Sequence, residues 1–170
     1  MPLFHPKILR KHLLQNVDVP PAQLQILQAW RRMIEDGTLL NLKKTEVHSA
    51  FTRSIMLDLL GYRDVGGQAD DQWSLAQEYP IGSGQVDIAL GEFDQDKTTD
   101  SVIAPFELKG AKTRDLDAIM PGRHKSPVQQ AWDYARDARG AEWVLVSNYT
   151  EIRLYAIGET SLVYEGFDLA

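Results

Sequence analysis

The sequence predicts an α/β fold with a mixed central β-sheet flanked by helices and preceded by further helices at the N-terminus. Three observations lead to this prediction. Apolar residues recur at helical spacing over residues 3–59, short apolar runs of strand length follow over residues 73–108, and one capped helix then precedes two or three more strands. Runs of helix and strand in this order are typical of a layered α/β domain with a mixed sheet.

The first 44 residues are predicted to form a helical preface. Apolar side chains recur at helical spacing over residues 3–14 and 21–34, and Pro20-Pro21 separates the two helices. We expect this preface to be a scaffold or an interaction arm. Residues 45–170 are expected to form one compact core.

A third helix is predicted from Thr45, as its N-cap, to Gly61, just past its end. An apolar stripe at helical spacing gives it a buried face: Val47, Phe51, Ile55 and Leu59. Glu46 lies off that stripe, and its carboxylate either interacts favourably with the helix dipole or leans over the sheet edge as a further acidic group of a site. His48 is interpreted as a residue of the helix surface.

Strands are predicted over residues 73–81, 85–90 and 102–108, with a tight turn at Gly82-Ser83-Gly84 and a polar hairpin loop over residues 91–100. Pro105 indicates a bulge or an edge-facing position. After a long basic loop over residues 110–125, a capping box with proline at the first helical position, Ser126-Pro127-Val128-Gln129, begins a helix that ends before Gly140. The last strands are predicted over residues 143–146, 152–157 and 163–164.

Composition limits the classes of protein and of site. The 170 residues are 44% hydrophobic and 25% charged, as in ordinary folded domains. The sequence has no cysteine, so a metal would be bound by oxygen atoms or by the four histidines. It also has neither an apolar run of membrane-spanning length nor a leader pattern, so we expect no membrane partner and a cytoplasmic location.

The net charge of −6 disfavours nucleic-acid binding by the chain as a whole, since binding to phosphates favours a basic surface. Basic residues nevertheless concentrate in and beside the 110–125 loop: Lys109, Lys112, Arg114, Arg123, His124 and Lys125. These residues form either a local basic rim or ordinary solvated charge.

The candidate site lies on two apolar runs that carry charged residues. Asp87 interrupts residues 86–90, while Glu107 and Lys109 are two apart and therefore share one face of their strand. Burying a carboxylate is unfavourable unless it is paired or bound to a cation. Two carboxylates and an ammonium group are what a metal-assisted hydrolase needs. A buried salt bridge between Lys109 and either carboxylate is the alternative.

Two residues of the capped helix add to the candidate site. Gln130 and Tyr134 are four residues apart and so lie on one face of that helix. Without further information, an ordinary surface glutamine and a half-buried tyrosine explain the pair equally well.

These residues carry a resemblance. Asp87, followed about twenty residues later by Glu107-Leu108-Lys109, resembles the signature of the PD-(D/E)xK nuclease superfamily, with Val86 in place of the motif's loosely required proline. Residues 130–134 resemble the Q-x-x-x-Y element found in several of its branches, and Glu46 resembles the extra acidic residue of the superfamily. Residues 106–113, 126–131 and 143–155 extend the resemblance to the N-terminal nuclease domain of type IIG fused restriction-modification enzymes, over residues 45–169 in all.

The resemblance implies a restriction-endonuclease-like fold and a Mg²⁺-dependent DNA endonuclease, with Mn²⁺ as an alternative ion. Asp87 and Glu107 would bind the metal together with the backbone carbonyl of Leu108. Lys109 would act on the attacking water, and Glu46 would complete the acidic cluster.

The resemblance also implies partners. Gln130 and Tyr134 would position the helix end against the DNA backbone or the catalytic lysine, and Lys112, Arg114 and Arg123 would hold phosphates of double-stranded DNA without reading bases. Family members carry methyltransferase and target-recognition domains downstream, so the chain is expected to be the cleavage module of a longer protein. Cutting both strands implies a transient dimer on DNA.

Two other classes of function stay open at this point. One is a catalytically inactive nucleic-acid-binding or assembly module on the same fold. The other is a scaffold domain in which Asp87, Glu107 and Lys109 form only a buried ion-pair network.

Overall fold

The computed structural model describes residues 1–16, 18–66, 72–97 and 99–170, apart from the side chains of residues 14–16. Leu14 and Thr98 belong to segments predicted above, and the Leu14 side chain and the whole of Thr98 lie outside this description. The helices are α1 (Pro6–Asn16), α2 (Pro21–Glu35), α3 (Thr38–Asn41), α4 (Lys44–Phe51), a π-helical segment (Thr52–Leu59) and α5 (Pro127–Asp137). The strands are β1 (Gln72–Ile81), β2 (Gly84–Asp94), β3 (Ser101–Leu108), β4 (Trp143–Ser147), β5 (Glu151–Ala156) and β6 (Glu165–Asp168).

The strands form one six-stranded sheet in the order β1-β2-β3-β4-β5-β6. Only the β3–β4 pair is parallel among the strand pairs of the described residues, and the other four pairs are antiparallel. A parallel pair needs a crossover connection, and α5 with the loop before it supplies that connection. The predicted α/β architecture with a mixed sheet flanked by helices is confirmed.

Side chains of β4 alternate between two apolar layers, which places helices on both faces of the sheet. Trp143 and Leu145 pack with the layer that contains α2, α4 and the π-helical segment. Val144 and Val146 pack with the layer that contains α5. The sheet is therefore the middle layer of three.

The preface joins the first of these layers through α2. The Trp30 side chain is buried there, and its indole nitrogen donates a hydrogen bond of 2.9 Å to the Tyr149 carbonyl. Trp30 also makes an edge-to-face contact with Phe51 at 5.6 Å between ring centroids. Residues 1–44 and 45–170 thus share a hydrophobic core, and their division into preface and nuclease core stays a prediction. None of the described helices is long and apolar enough to cross a membrane.

The helix predicted from Thr45 begins slightly earlier and changes character midway. Lys43, not Thr45, is its N-cap, because the Glu46 carboxylate accepts a hydrogen bond of 2.8 Å from the Lys43 backbone N–H. From Thr52 the helix continues with π-helical turns to Leu59. Gly61 follows with a φ of 75°, so the predicted glycine after the helix end is confirmed.

The hairpin between β2 and β3 is shorter than predicted. β2 continues to Asp94, so residues 91–94 are strand and not loop, and the register shift lies between Leu90 and Gly91, not at Pro105. Within residues 91–94 the Phe93 side chain is buried and that of Glu92 is exposed, which is the alternation expected of a strand. The last strand, β6, lies over residues 165–168 and not over 163–164.

We expect Gly91→Ala to destabilise the protein by about 1–3 kcal/mol or more, because a Cβ there would lie 1.8 Å from the Ser101 backbone carbonyl oxygen in the neighbouring strand. Gly110→Ala is the matched control, since a Cβ at Gly110 meets no atom within 4 Å. Urea unfolding of both variants measures the difference. Equal midpoints for the two variants would contradict the tight approach of β2 and β3 at Gly91.

Candidate nuclease active site

Asp87 and Glu107 lie side by side on the antiparallel strands β2 and β3. Ile88 pairs with Phe106, so the next residues along the two strands are Asp87 and Glu107. One oxygen of Asp87, Oδ2, accepts a hydrogen bond of 2.7 Å from the Leu108 backbone N–H. This bond fixes the Asp87 carboxylate against the end of β3, beside Glu107.

Lys109 follows β3 directly and contacts two other candidate residues. Its ammonium group forms an ion pair with Glu107 Oε1 and donates a hydrogen bond of 3.0 Å to Gln130 Oε1. Glu107 is 3% exposed and Lys109 7% exposed, so this ion pair is nearly dry. Glu107 and Lys109 therefore lie on one face, as predicted. They also form the buried salt bridge that the sequence analysis gave as the alternative to a metal site.

The surroundings of Glu107 disfavour its charged form. Burial raises the pKa of the Glu107 carboxyl above its ordinary value, and the nearby Asp87 carboxylate raises it further. Lys109 and Lys44 act in the opposite direction and lower that pKa. The two neighbouring carboxylates thus have separate partners, since the buried Lys109 pairs with Glu107 and the more exposed Lys44 lies near Asp87.

Helix α5 holds the glutamine and tyrosine of the Q-x-x-x-Y element against the sheet. The Ser126 hydroxyl caps α5 by accepting a hydrogen bond of 3.1 Å from the Gln129 N–H, as the capping box predicts. Tyr134 donates its hydroxyl proton to the Gln85 carbonyl at the start of β2, over 2.8 Å, and lies 3.5 Å from Gln130 Nε2. Tyr134 therefore anchors α5, while Gln130 touches Lys109.

The three basic loop residues lie in different places. Arg123 reaches the site, because its Nη1 donates a hydrogen bond of 3.3 Å to Gln130 Oε1. Lys112 is exposed. Arg114 instead lines a cavity of about 600 Å³ between α3 and β6, together with residues such as Asn148 and Phe167. The structure thus brings Arg123 to Gln130, next to Lys109, and places Arg114 in the cavity near β6.

Glu46 lies apart from the other two carboxylates. Its carboxylate accepts the capping hydrogen bond from Lys43 and is exposed. Among the described residues, no group of three or more histidine, aspartate or glutamate side chains is close enough to hold a metal ion. Glu46 can join Asp87 and Glu107 only by leaving its capping position.

Lys44 and His48, which the sequence analysis did not assign to the site, both face Asp87. Lys44 Nζ lies 3.7 Å from Asp87 Oδ1. His48 is half-buried, and burial is the main reason that its pKa is lowered, although Asp87 opposes the effect. The two residues line a polar cavity of about 420 Å³ beside Asp87, with Gln77 and Glu78 opposite. Their spacing of four residues on α4, which places them on one face, was the available signal.

Tyr149 is the other residue missed by the sequence analysis. Its side chain is fully buried, and burial first, then the negative charges of Asp87 and Glu107, raise the pKa of its phenol well above the ordinary value. Its hydroxyl has no hydrogen-bond partner among the described residues. A buried hydroxyl without a partner beside two carboxylates fits a site completed by a bound ion or water.

Comparison with known proteins gives one limited similarity. No model of a protein family matches the chain, and no curated protein matches it. Among solved structures, the type IIG restriction endonuclease BpuSI is similar with a TM-score of 0.41 and 13% sequence identity, over 65% of this chain and 11% of that one. A TM-score this low establishes neither a shared fold nor a shared activity. The matched part spans about a tenth of that enzyme's length.

Proposed function

We propose that this chain is a Mg²⁺-dependent DNA endonuclease module, a phosphodiesterase of the PD-(D/E)xK type. The observation that carries the proposal is the pair of adjacent carboxylates, Asp87 and Glu107, beside the buried ammonium group of Lys109, which is ion-paired with Glu107. An ion-pair scaffold accounts for Glu107 with Lys109 and for Asp87 with Lys44. It gives no reason for the buried, unpaired hydroxyl of Tyr149 near both carboxylates.

The donor set fits a hard cation. Asp87 Oδ1 and the Glu107 carboxylate supply anionic oxygens, and the Leu108 carbonyl supplies a neutral one, which together match the oxygen ligands and partial hydration that Mg²⁺ prefers. The Tyr149 hydroxyl is available to hydrogen-bond a water of such a site. When bound, the ion would polarise a phosphate oxygen and stabilise negative charge that develops on it.

The protein groups have separable roles in this proposal. Lys109, held by Glu107 and Gln130, orients the attacking water, and its positive charge stabilises the hydroxide that forms when the proton of that water passes to solvent. Gln130 fixes the direction of the lysine, and Tyr134 fixes the helix that carries Gln130. Arg123, beside Gln130, is placed to hold a phosphate of double-stranded DNA. Because contacts with phosphates carry no sequence information, we propose weak, sequence-independent binding by the isolated module.

We also propose that the module belongs to the type IIG group and that a longer protein carries methyltransferase and target-recognition domains elsewhere. Two copies of the module would form a transient dimer on DNA to cut both strands. Lys112 and Arg114 are proposed as phosphate contacts only for DNA that extends beyond the carboxylates, since Arg114 lies near β6.

The test is plasmid cleavage combined with metal binding. Supercoiled DNA should be nicked in Mg²⁺ but not in EDTA. Asp87→Asn should weaken Mn²⁺ binding, measured by calorimetry, by about tenfold or more, because it removes an anionic ligand. Retained metal binding and cleavage in this variant would exclude the proposed centre. DNA binding without any metal-dependent cleavage by the parent chain would instead favour the inactive binding module.

The ion pair of Lys44 with Asp87 leads to a second prediction, on the metal affinity of the same site. Lys44→Met should raise the affinity for Mn²⁺ by about two- to fivefold, because the ammonium group that now pairs with Asp87 Oδ1 no longer competes with the ion, and an exposed ion pair is worth up to about 1 kcal/mol. Lys43→Met is the matched control, since it removes the same charge one residue away. Equal affinities in the two variants would show that Lys44 does not compete at Asp87.

A further inference from the structure

The charge of this chain is divided unevenly along its length. Residues 1–44 contain seven lysines and arginines but three acidic residues, whereas residues 45–170 contain eleven and twenty-one. Residues 1–17 contain three basic residues and no acidic one. The module that carries the candidate site is thus strongly acidic, and a phosphate backbone approaching it is repelled unless a basic element lies nearby.

Helix α1 is that basic element, and its three cations share one face. At about 100° per residue, Lys7, Arg10 and Lys11 fall within an arc of roughly 100°. Leu9, the one part-buried residue among residues 6–13, lies on the opposite side of the helix. The helix therefore turns its apolar side inward at Leu9 and its basic side to solvent.

The basic face is free to bind a partner. Lys7, Arg10 and Lys11 are exposed, and within the described part of the chain their side chains form no ion pair or hydrogen bond. Lys7 and Lys11 are about 6 Å apart along the helix axis, close to two steps of 3.4 Å on one DNA strand. This spacing suits contacts with two phosphates that lie two nucleotides apart on one strand.

The distance across the sheet from the carboxylates to the start of α1 is shorter than one turn of B-DNA. Phe4, just before α1, donates its backbone N–H to the Glu165 carboxylate of β6 over 3.3 Å. β6 is three strands away from β3, which is roughly 15 Å at about 4.8 Å per strand. One turn of B-DNA is about 34 Å long, so a duplex at Glu107 can extend as far as α1.

We propose that the basic face of α1 (Lys7, Arg10 and Lys11) is a phosphate-binding arm that docks the DNA backbone outside the catalytic centre. This inference rests on the proposed function for the identity of the nucleic acid. The arm supplies binding without sequence preference, and the acidic core supplies the chemistry. The apolar residues exposed on α1, Ile8 and Leu13, lie outside the basic face and take no part in the contact.

The test compares two triple variants that change the net charge equally. K7Q/R10Q/K11Q removes the basic face of α1, and R53Q/K97Q/R139Q removes three exposed cations outside the arm and the site. Glutamine has nearly the same helix propensity as lysine and arginine, so α1 should remain folded, which circular dichroism checks. Binding to a labelled 30-base-pair duplex is measured by fluorescence anisotropy in EDTA at several salt concentrations.

We expect the α1 variant to bind on the order of 100-fold more weakly at 0.1 M salt and its slope of log K against log salt to fall by about 2 to 3, since each lost phosphate contact removes about 0.9 from that slope. The control variant should retain most of the slope. The proposal is contradicted if the slope is unchanged in the α1 variant, or if the control variant loses as much affinity and slope as the α1 variant.

The same experiment separates the arm from the proposed function. DNA binding is measured without metal and therefore does not depend on cleavage. If the α1 variant binds DNA more weakly and the parent chain does not cleave plasmid DNA, the phosphate-binding arm is supported and the nuclease is rejected. If the parent chain cleaves plasmid DNA and the α1 variant binds DNA as tightly as the parent, the nuclease is supported and the phosphate-binding arm is rejected. Binding to anionic lipid vesicles is measured for the same variants. If the α1 variant loses vesicle binding but keeps DNA binding, DNA is rejected as the partner of the basic face.

Discussion

Lys109→Ala should lower Mg²⁺-dependent nicking of plasmid DNA by on the order of 10² to 10³-fold, the range found when a positioned donor that stabilises developing negative charge is removed. The physical reason is that the Lys109 ammonium is the only buried cation in contact with Glu107 among the described residues, and Gln130 directs it. The measurement is the initial rate of conversion of supercoiled to nicked DNA. Arg139→Ala, which removes an exposed cation at the end of α5, is the control and should retain the parent rate.

The stability of the same variant distinguishes the nuclease from a scaffold. Removing Lys109 leaves Glu107 buried without its partner, which can cost about 3 to 5 kcal/mol. Rates are therefore measured at a temperature where the variant is folded, as shown by its circular dichroism. A folded variant that nicks DNA at the parent rate in Mg²⁺ would falsify the catalytic assignment of Lys109. A parent chain that is inactive, with the variant only less stable, would support the scaffold.

Phe51→Ala should lower the free energy of unfolding by about 3–5 kcal/mol, because it removes the ring at the centre of the first apolar layer. The Phe51 ring is fully buried and makes edge-to-face contacts with Trp30, Phe106 and Tyr149 at centroid distances of 5.6, 6.0 and 5.3 Å. For a chain of this length, such a loss lowers the melting temperature by roughly 10 °C. Thermal and urea unfolding measure it.

Phe167→Ala is the matched control for Phe51. The same atoms are removed, but Phe167 is 46% exposed on β6, so the expected loss is below about 1 kcal/mol. Similar losses in the two variants would contradict the assignment of Phe51 to the centre of the core. The contacts of Phe51 with Phe106 and Tyr149 also place it behind the site. Its loss should therefore increase exchange of the Leu108 amide, which donates to Asp87.

Local patterns in the sequence were enough to predict most of the elements. The capping box at Ser126 located the start of α5, because a serine followed three residues later by glutamine satisfies two backbone donors at a helix start. The alternation of side chains in a strand placed Glu107 and Lys109 on one face. Both rules depend only on neighbours along the chain, and both predictions were confirmed.

Boundaries were predicted less well, since they depend on contacts with distant residues. Residues 91–94 carry two acidic side chains, yet they remain in β2, because β3 pairs with residues 91–92, β1 pairs with residues 93–94, and the Phe93 side chain is buried. The N-cap of α4 is Lys43, although the sequence favours Thr45, because the Glu46 carboxylate is used for capping. The resemblance implied that Glu46 would join Asp87 and Glu107. Because its carboxylate caps α4, Glu46 lies apart from them.

The sequence by itself determined the α/β class, the spacing of Asp87, Glu107 and Lys109, and the uneven distribution of charge between residues 1–44 and the remainder. These are properties of residue type and order. Only the tertiary structure decided that Lys44, His48 and Tyr149 surround the carboxylates, that Gln130 contacts Lys109, and that Arg114 lies elsewhere. The reason is that these contacts join elements far apart in the chain, and the packing of helices on both faces of the sheet determines which side chains meet.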